Sequence, residues 1–304
     1  MKIFVAGATG AIGRPLVEQL LKKGYDVVAS TRSPEKAQTL AAQGVEVVVA
    51  DVFDASAIYN AIRRIQPKVA IEQLTYLPKT YTQESMRAAA QANNRLRREG
   101  GGNVLAAAQA AGVRRYILQS IAFWAAPGQG LADEETSLAL DAPTAIADGI
   151  RTIALIERRL LAVPNLEGIV LRYGFFYGPG TWYAPDGDIA KQVRQQQFPI
   201  VANGKGVWSW IHVEDAAIAT AKAVEQGNPG VYIIANEQPL QMSVWLPAYA
   251  RWLNAPPPIH VSVEQALKAG GAKFVFYGTQ LRGVSNAKAK RELGFQPRPL
   301  EWLV

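Results

Sequence analysis

The chain of 304 residues contains no cysteine. Disulfides, thiolate metal ligands and thiol nucleophiles are thereby excluded, and the absence fits a cytoplasmic protein. Histidine is almost as scarce: His212 and His260 are the only two and lie in different parts of the chain, so no metal site is expected. No run approaches the ~18 apolar residues of a membrane-spanning helix. Residues 1–24 are too interrupted by glycine for a signal peptide. The expectation is a soluble, cytoplasmic protein without a membrane partner. Basic residues outnumber acidic ones by 32 to 25, a net charge of +7, but they are scattered in ones and twos (Lys22-Lys23, Arg63-Arg64, Arg114-Arg115, Arg158-Arg159). Such a pattern reads as a solvated face rather than a nucleic-acid surface, while the charge still favours anionic ligands.

What the chain does have is concentrated at its start. Ile3, Phe4 and Val5 form a short apolar run with the look of a buried parallel strand. Gly7, Gly10 and Gly13 follow at a three-residue spacing, and a helical pattern begins at Leu16, Val17, Leu20 and Leu21. Strand, glycine turn and helix together point to dinucleotide binding. The glycines let the backbone turn, approach a pyrophosphate and pack the helix on the sheet, and the phosphates then meet the unpaired N–H groups at the helix start.

Beyond it, strand patterns at 2–6, 25–31, 45–50, 68–74, 115–120 and 168–173 alternate with helical ones near 12–23, 34–42, 55–65, 84–111 and 144–162. This alternation predicts an α/β fold with a doubly wound parallel Rossmann-type sheet. After residue 174 the texture turns to glycine, proline and aromatics. A helix is expected near 186–197, a strand-like piece at 207–211, a helix at 213–226 and a strand at 231–235. The inferred division is a nucleotide-binding part, 1–174 plus 206–236, and a smaller discontinuous C-terminal substrate lobe, 175–205 plus 237–304.

Several motifs join the glycine turn: Asp51-Val52 after the third strand, Ser120 after the fifth, Tyr177-Gly178-Pro179-Gly180, His212-Val213-Glu214-Asp215-Ala216-Ala217, and Ser285-Asn286-Ala287-Lys288 near the end. With these the chain resembles, over nearly its full length, the short-chain dehydrogenase/reductase superfamily in its extended or atypical branch, the NAD(P)-dependent epimerase/dehydratase-like group. The resemblance implies that Gly7, Thr9, Gly10, Ala11, Ile12 and Gly13 line the pyrophosphate and that Asp51 and Val52 contact the adenine. It implies that Leu74 and Thr75 border the ribose and nicotinamide side, and that Phe175 passes the nicotinamide. Asp51 has a competing reading as a loop or helix cap. An NAD site expects an acid about 20 positions beyond the glycines. Here the second strand ends Thr31-Arg32-Ser33, with Lys36 a turn on and no acid at the tip. Arg32 can fork onto a 2′-phosphate and Ser33 can donate to it, so NADP(H) is the expected cofactor.

The chain also departs from that superfamily. Its reductases and epimerases use Tyr-x-x-x-Lys on the helix after the fifth strand, where this chain has Gly149 and Ile153. No tyrosine lies between Tyr116 and Tyr173, and no lysine between Lys79 and Lys191. The superfamily's helix-four asparagine falls on Arg97, with Asn94 one turn earlier. Ser120 remains as a catalytic candidate, with Tyr81, Tyr183 and His212 as further cleft groups. Where sugar-nucleotide epimerases place a phosphate-clamping arginine, this chain has Trp208. Phe123, Trp124, Phe176, Trp182, Trp208 and Trp210 are candidate pocket residues for an apolar or aromatic small molecule, against a competing reading as ordinary core. Two functions follow: an atypical NADP-dependent oxidoreductase with a non-standard proton donor, of which a non-redox isomerase or cyclase is a variant, or a non-catalytic NADP(H)-sensing regulator.

Overall fold

The computed structural model describes residues 1–303. In chain order the first half runs β1 (Lys2–Ala6), α1 (Gly13–Lys22), β2 (Asp26–Thr31), α2 (Pro34–Ala41), β3 (Glu46–Val49), α3 (Ala55–Ile65), β4 (Val69–Glu72), α4 (Gln83–Arg95), α5 (Gly101–Ala110), β5 (Arg115–Ile121), α6 (Thr144–Leu161) and β6 (Glu167–Tyr173). The remainder runs β7 (Phe175–Tyr177), α7 (Asp188–Arg194), β8 (Ile200–Val201), β9 (Val207–Trp208), β10 (Trp210–His212), α8 (Val213–Ala223), β11 (Gly230–Ile234), β12 (Leu240–Gln241), α9 (Met242–Trp252), β13 (His260–Val261), α10 (Val263–Thr279) and α11 (Ala287–Leu293).

Seven strands form one parallel sheet in the order β3-β2-β1-β4-β5-β6-β11. Its central strands are apolar on both faces because helices cover both. Residues from α1, α8 and α11 close one face over Ile3, Val5, Ile71 and Ile169. Residues from α3, α5 and α6 close the other over Phe4, Ala70, Tyr116 and Val170, and that core runs on without a break into Trp208, Trp210, Trp245 and Trp302. The chain winds outward in opposite directions from β1 and β4, so the carboxyl ends of these two strands open the crevice where doubly wound sheets bind ligands.

Two departures from the sequence pattern have physical causes, and one further helix is jointed. The helix expected over 84–111 is interrupted by a π-helical stretch at Leu96–Gly100. The guanidinium of Arg159 donates to the carbonyls of Arg98 (2.8 Å) and Arg97 (3.3 Å), giving the widened turn partners. The strand expected over 207–211 splits at Ser209, whose carbonyl accepts from Phe175 N–H while its hydroxyl accepts from Val284 N–H. As a result β9 pairs with β12 and β10 with β7, and of residues 206–236 only β11 enters the main sheet. Finally, α10 is two helices joined at Gly271, whose φ of 72° a glycine adopts without strain.

Candidate active site

The glycine turn is a steric requirement. A Cβ on Gly7 would lie 2.3 Å from the Gln73 carbonyl oxygen at the end of β4, and one on Gly13 would lie 2.2 Å from the Gly7 oxygen. Gly10 meets no such obstacle and is exposed, so its backbone is open to a ligand. Gly10 N–H donates to Gly7 O, whereas the N–H groups of Ala11, Ile12 and Gly13 have no backbone acceptor among the described residues. Unpaired donors at the start of a ten-residue helix make an anion cradle that fits the pyrophosphate of a dinucleotide. Ile12 lends only its backbone, because its side chain is buried in the α1 core. The Gly178–Gly180 turn faces this cradle: a Cβ on Gly180 would lie 3.9 Å from Ala11 Cβ.

β2 lies beside β1 with Ala6 opposite Ser30, so Thr31, Arg32 and Ser33 leave the sheet next to the glycine turn. Arg32 is exposed and makes no ion pair or side-chain hydrogen bond among the described residues. Thr31 Oγ1 accepts from Ser33 N–H, and Ser33 Oγ caps α2 by accepting from Lys36 N–H (3.3 Å), which leaves the Ser33 hydroxyl proton and the exposed Lys36 ammonium free. Asp51 holds its own turn, accepting from Phe53 N–H at 3.0 Å, as the cap reading expects. Val52 is half-buried and its carbonyl is fixed by Asn103 Nδ2. Leu74 is half-buried and Thr75 exposed in the loop after β4.

The structure gathers most of the aromatic candidates. Phe123 stacks on Phe175 with centroids 3.9 Å apart, Phe175 stacks on Trp208 at 4.1 Å, and Trp208 on Trp210 at 5.5 Å. Phe123 and Trp182 keep some exposure, whereas Trp208 and Trp210 lie in the core against Trp245. They lie behind Phe175 as core residues, as the competing reading of these tryptophans expects. Phe176, one residue along the same strand, points to the opposite core, beside Tyr173.

Above this stack stand three phenols. Tyr81 sits edge-on to Trp182, its backbone pinned by Asp188 and Gln192. Tyr277 accepts a 2.9 Å hydrogen bond from Trp124 Nε1, and Tyr183 packs edge-on to Trp210. Burial pushes the Tyr81 phenol up to about 12 and the other two higher still, with neighbouring phenols adding to the rise at Tyr183 and Tyr277, so all remain protonated donors near neutrality. Lys273, on the same helix as Tyr277, places its Nζ 5.5 Å from the Tyr81 ring centre and 5.4 Å from that of Tyr277. Burial lowers this ammonium to about 8. Lys273 and Tyr277 were not among the sequence candidates. The signal was their i, i+4 spacing, hidden because Gly270-Gly271 reads as a break rather than as the joint of a helix.

Two other candidates stand apart. Ser120 is buried, and its hydroxyl donates at 2.5 Å to Glu157, which also accepts from Arg172 at 2.9 and 2.7 Å. His212 caps α8, accepting from Glu214 N–H at 3.2 Å, with its Nε2 beneath Gly178. Burial, followed by Arg298, lowers its basicity. Asn94 Nδ2 donates to Asp148 at 2.7 Å, and the buried Arg97 faces Glu72. The helix α6 carries neither tyrosine nor lysine. Where a Cβ on Gly149 would project, Trp124 already stands 2.9 Å away. No group of residues able to hold a metal ion occurs among the described residues. No helix among them is long and apolar enough to cross a membrane.

Comparison with known proteins agrees with this geometry. Residues 3–235 match the NAD dependent epimerase/dehydratase family. A 3-diazoavenalumate denitrifying reductase from Streptomyces sp is 41% identical, covering 99% of this chain and 98% of its own length. A 2-alkyl-3-oxoalkanoate reductase from Stenotrophomonas maltophilia (strain K279a) is 29% identical, covering 80% of this chain and 72% of its own. Among solved structures, the UDP-glucose 4-epimerase of Thermotoga maritima with UDP-glucose superposes with a TM-score of 0.76 at 17% identity, covering 99% of this chain and 95% of that one. The dTDP-glucose 4,6-dehydratase of Streptomyces venezuelae, with NAD bound, gives 0.75 at 20% identity, covering 99% and 93%. Parallel sheet, glycine cradle and family match together make this chain a short-chain-dehydrogenase-like oxidoreductase of the NAD dependent epimerase/dehydratase family.

Proposed function

We propose that this protein is an NADP(H)-dependent reductase of planar, apolar aromatic small molecules, and that its acceptor is electrophilic enough to need no tyrosine–lysine pair. The observation that carries this reading is the stack of Phe123, Phe175 and Trp208 under the phenols of Tyr81 and Tyr277. A flat ring system matches such a surface, and interleaved aromatic faces favour it by ~0.5–1.5 kcal/mol beyond area burial. These aromatics are buried or half-buried rather than spread as an exposed apolar patch, which supports a substrate site over a regulator's partner surface.

The cofactor's contribution, when bound, is a hydride. The residues of this chain bind, orient and exclude water. The N–H groups after Gly10 receive the pyrophosphate, and Arg32 with Ser33 and Lys36 receives a 2′-phosphate. Phe123, the partly exposed end of the stack, offers the face on which the substrate ring lies, with Phe175 and Trp208 backing it. Tyr277 accepts from Trp124 and so keeps its own proton for whatever acceptor needs one. Ser120 is less suited to that task, since its hydroxyl already serves the Glu157–Arg172 pair.

The diazo substrate in the name of the full-length relative supplies an acceptor class that fits. An arenediazonium ion plus a hydride yields the arene and dinitrogen, with the cofactor oxidised and charge conserved. That reaction asks for no proton from α6, where this chain has none to give. The test is anaerobic incubation of the protein with NADPH and an ortho-quinone diazide, with a quinone and a simple ketone alongside. Enzyme-dependent NADPH oxidation with release of dinitrogen is expected for the diazide, with little turnover of the ketone. Rates equal to the uncatalysed background for all three would sink the proposal.

A further inference from the structure

We infer that the aromatic cluster around Tyr81 and Tyr277 includes a carboxylate-binding site built on Lys273, so that the substrate class is the planar aromatic carboxylic acids. This rests on the reading of that cluster as the substrate site. Lys273 lies two residues beyond the Gly271 joint of α10, which aims it across the Tyr277 ring towards Tyr81. Among the described residues no carboxylate comes within 4.0 Å of its ammonium. Two other cations withdrawn from solvent are ion-paired, Arg115 with Glu167 at 2.7 Å and Arg172 with Glu157 at 2.7 Å, and the buried Arg97 faces Glu72.

A half-buried cation with only ring faces for company is electrostatically incomplete. The faces of two tyrosines attract it, but they carry no counter-charge, and removing an ammonium from water without one is costly. Its lowered basicity expresses the same lack. An anion beside the ammonium would supply what is missing. The phenols of Tyr81 and Tyr277, whose rings flank the ammonium, are held protonated by burial and are potential hydrogen-bond donors to such an anion. One ammonium and these O–H donors around a flat apolar wall suit a carboxylate on a conjugated ring. An ordinary phenol is a poorer match, because with a pKa of about 10 it is neutral where Lys273 is charged.

The experiment compares binding of 2-naphthoate and 2-naphthamide, equal in ring but different in charge, by tryptophan fluorescence at neutral pH. It uses the unmodified protein, Lys273→Met and Lys273→Arg, with NADPH affinity measured on each as a fold control. In the unmodified protein naphthoate should bind about tenfold or more tighter than the amide, as charge-assisted contacts allow. Lys273→Met should bring the ratio close to one without altering NADPH affinity, and Lys273→Arg should largely keep it. A ratio near one in the unmodified protein, or an undiminished ratio in Lys273→Met, overturns the inference while leaving the aromatic site standing. Failure of both probes to bind overturns the aromatic site and the inference together.

Discussion

A Cβ on Gly149 would lie 2.9 Å from the tip of the Trp124 indole, whose Nε1 is tied to Tyr277 at 2.9 Å. Glycine on α6 and tryptophan in the loop after β5 therefore occupy one space between them, and Trp124 delivers the Tyr277 phenol to the cleft from the far side. Returning a tyrosine to position 149 should thus displace Trp124. We expect Gly149→Tyr to cost ~1–3 kcal/mol through overpacking. The double variant with Trp124→Ala should be more stable than the sum of the single costs by ~1 kcal/mol or more. Denaturant unfolding of all four proteins measures this, and strict additivity would count against it.

Arg32 sits unpartnered at the end of β2, beside the cradle. Arg32→Ala should weaken NADPH binding by ~1.5–3 kcal/mol, the worth of charged hydrogen bonds, and leave NADH nearly unchanged. Calorimetry with both cofactors reads this directly. Equal affinities for NADPH and NADH in the unmodified protein would refute the assignment.

Glu157 joins Ser120 to Arg172 in a buried cluster. Glu157→Gln leaves Arg172 without its counter-charge and should cost ~3–5 kcal/mol of stability. Ser120→Ala, which leaves the ion pair in place, should cost only ~1–2 kcal/mol and change turnover little. A Ser120→Ala protein that is fully stable but inactive would return Ser120 to the role of proton donor.

Lys273 gives stability a pH dependence of definite sign. Its ammonium has a lowered value of about 8 in the folded protein against an ordinary 10.5. Between these values the unfolded chain holds a proton that the folded one has released, so stability rises with pH across this window. Below about 8 the cost of the partly desolvated charge is felt in full. Lys273→Met removes the cost at every pH. The stability advantage of the variant over the unmodified protein should therefore shrink by ~1–3 kcal/mol from pH 7 to pH 10.5. Tyr81, held up to about 12, stays neutral through most of that range. An advantage that grows with pH would contradict the assignment.

The sheet was legible in the sequence because its signals are local. Ile3–Val5, the glycine turn and the Leu16–Leu20 period each depend on a few neighbouring residues, and the strands and helices through β6 fall within a few positions of their expected ranges. The π-helical turn was not legible, since it depends on Arg159 reaching back to Arg97 and Arg98. For the same reason Trp208 and Phe176 looked alike as aromatics in one stretch, while one belongs to the stack and the other to the opposite core. Absence was easier to read than replacement: α6 shows at once that it has no tyrosine, but Tyr277 and Lys273 enter from a helix more than a hundred residues away.

The central claim is that hydride passes from a nicotinamide cofactor, its pyrophosphate held in the glycine cradle, to an aromatic acceptor lying on Phe123. Turnover of an aromatic quinone diazide with NADPH deuterated at the transferable C4 position, followed by mass spectrometry of the product, tests it most directly. The account predicts deuterium on the product ring, release of dinitrogen, and loss of both on Arg32→Ala at limiting NADPH. A product free of deuterium, or deuterium incorporation no faster than without the protein, would contradict it.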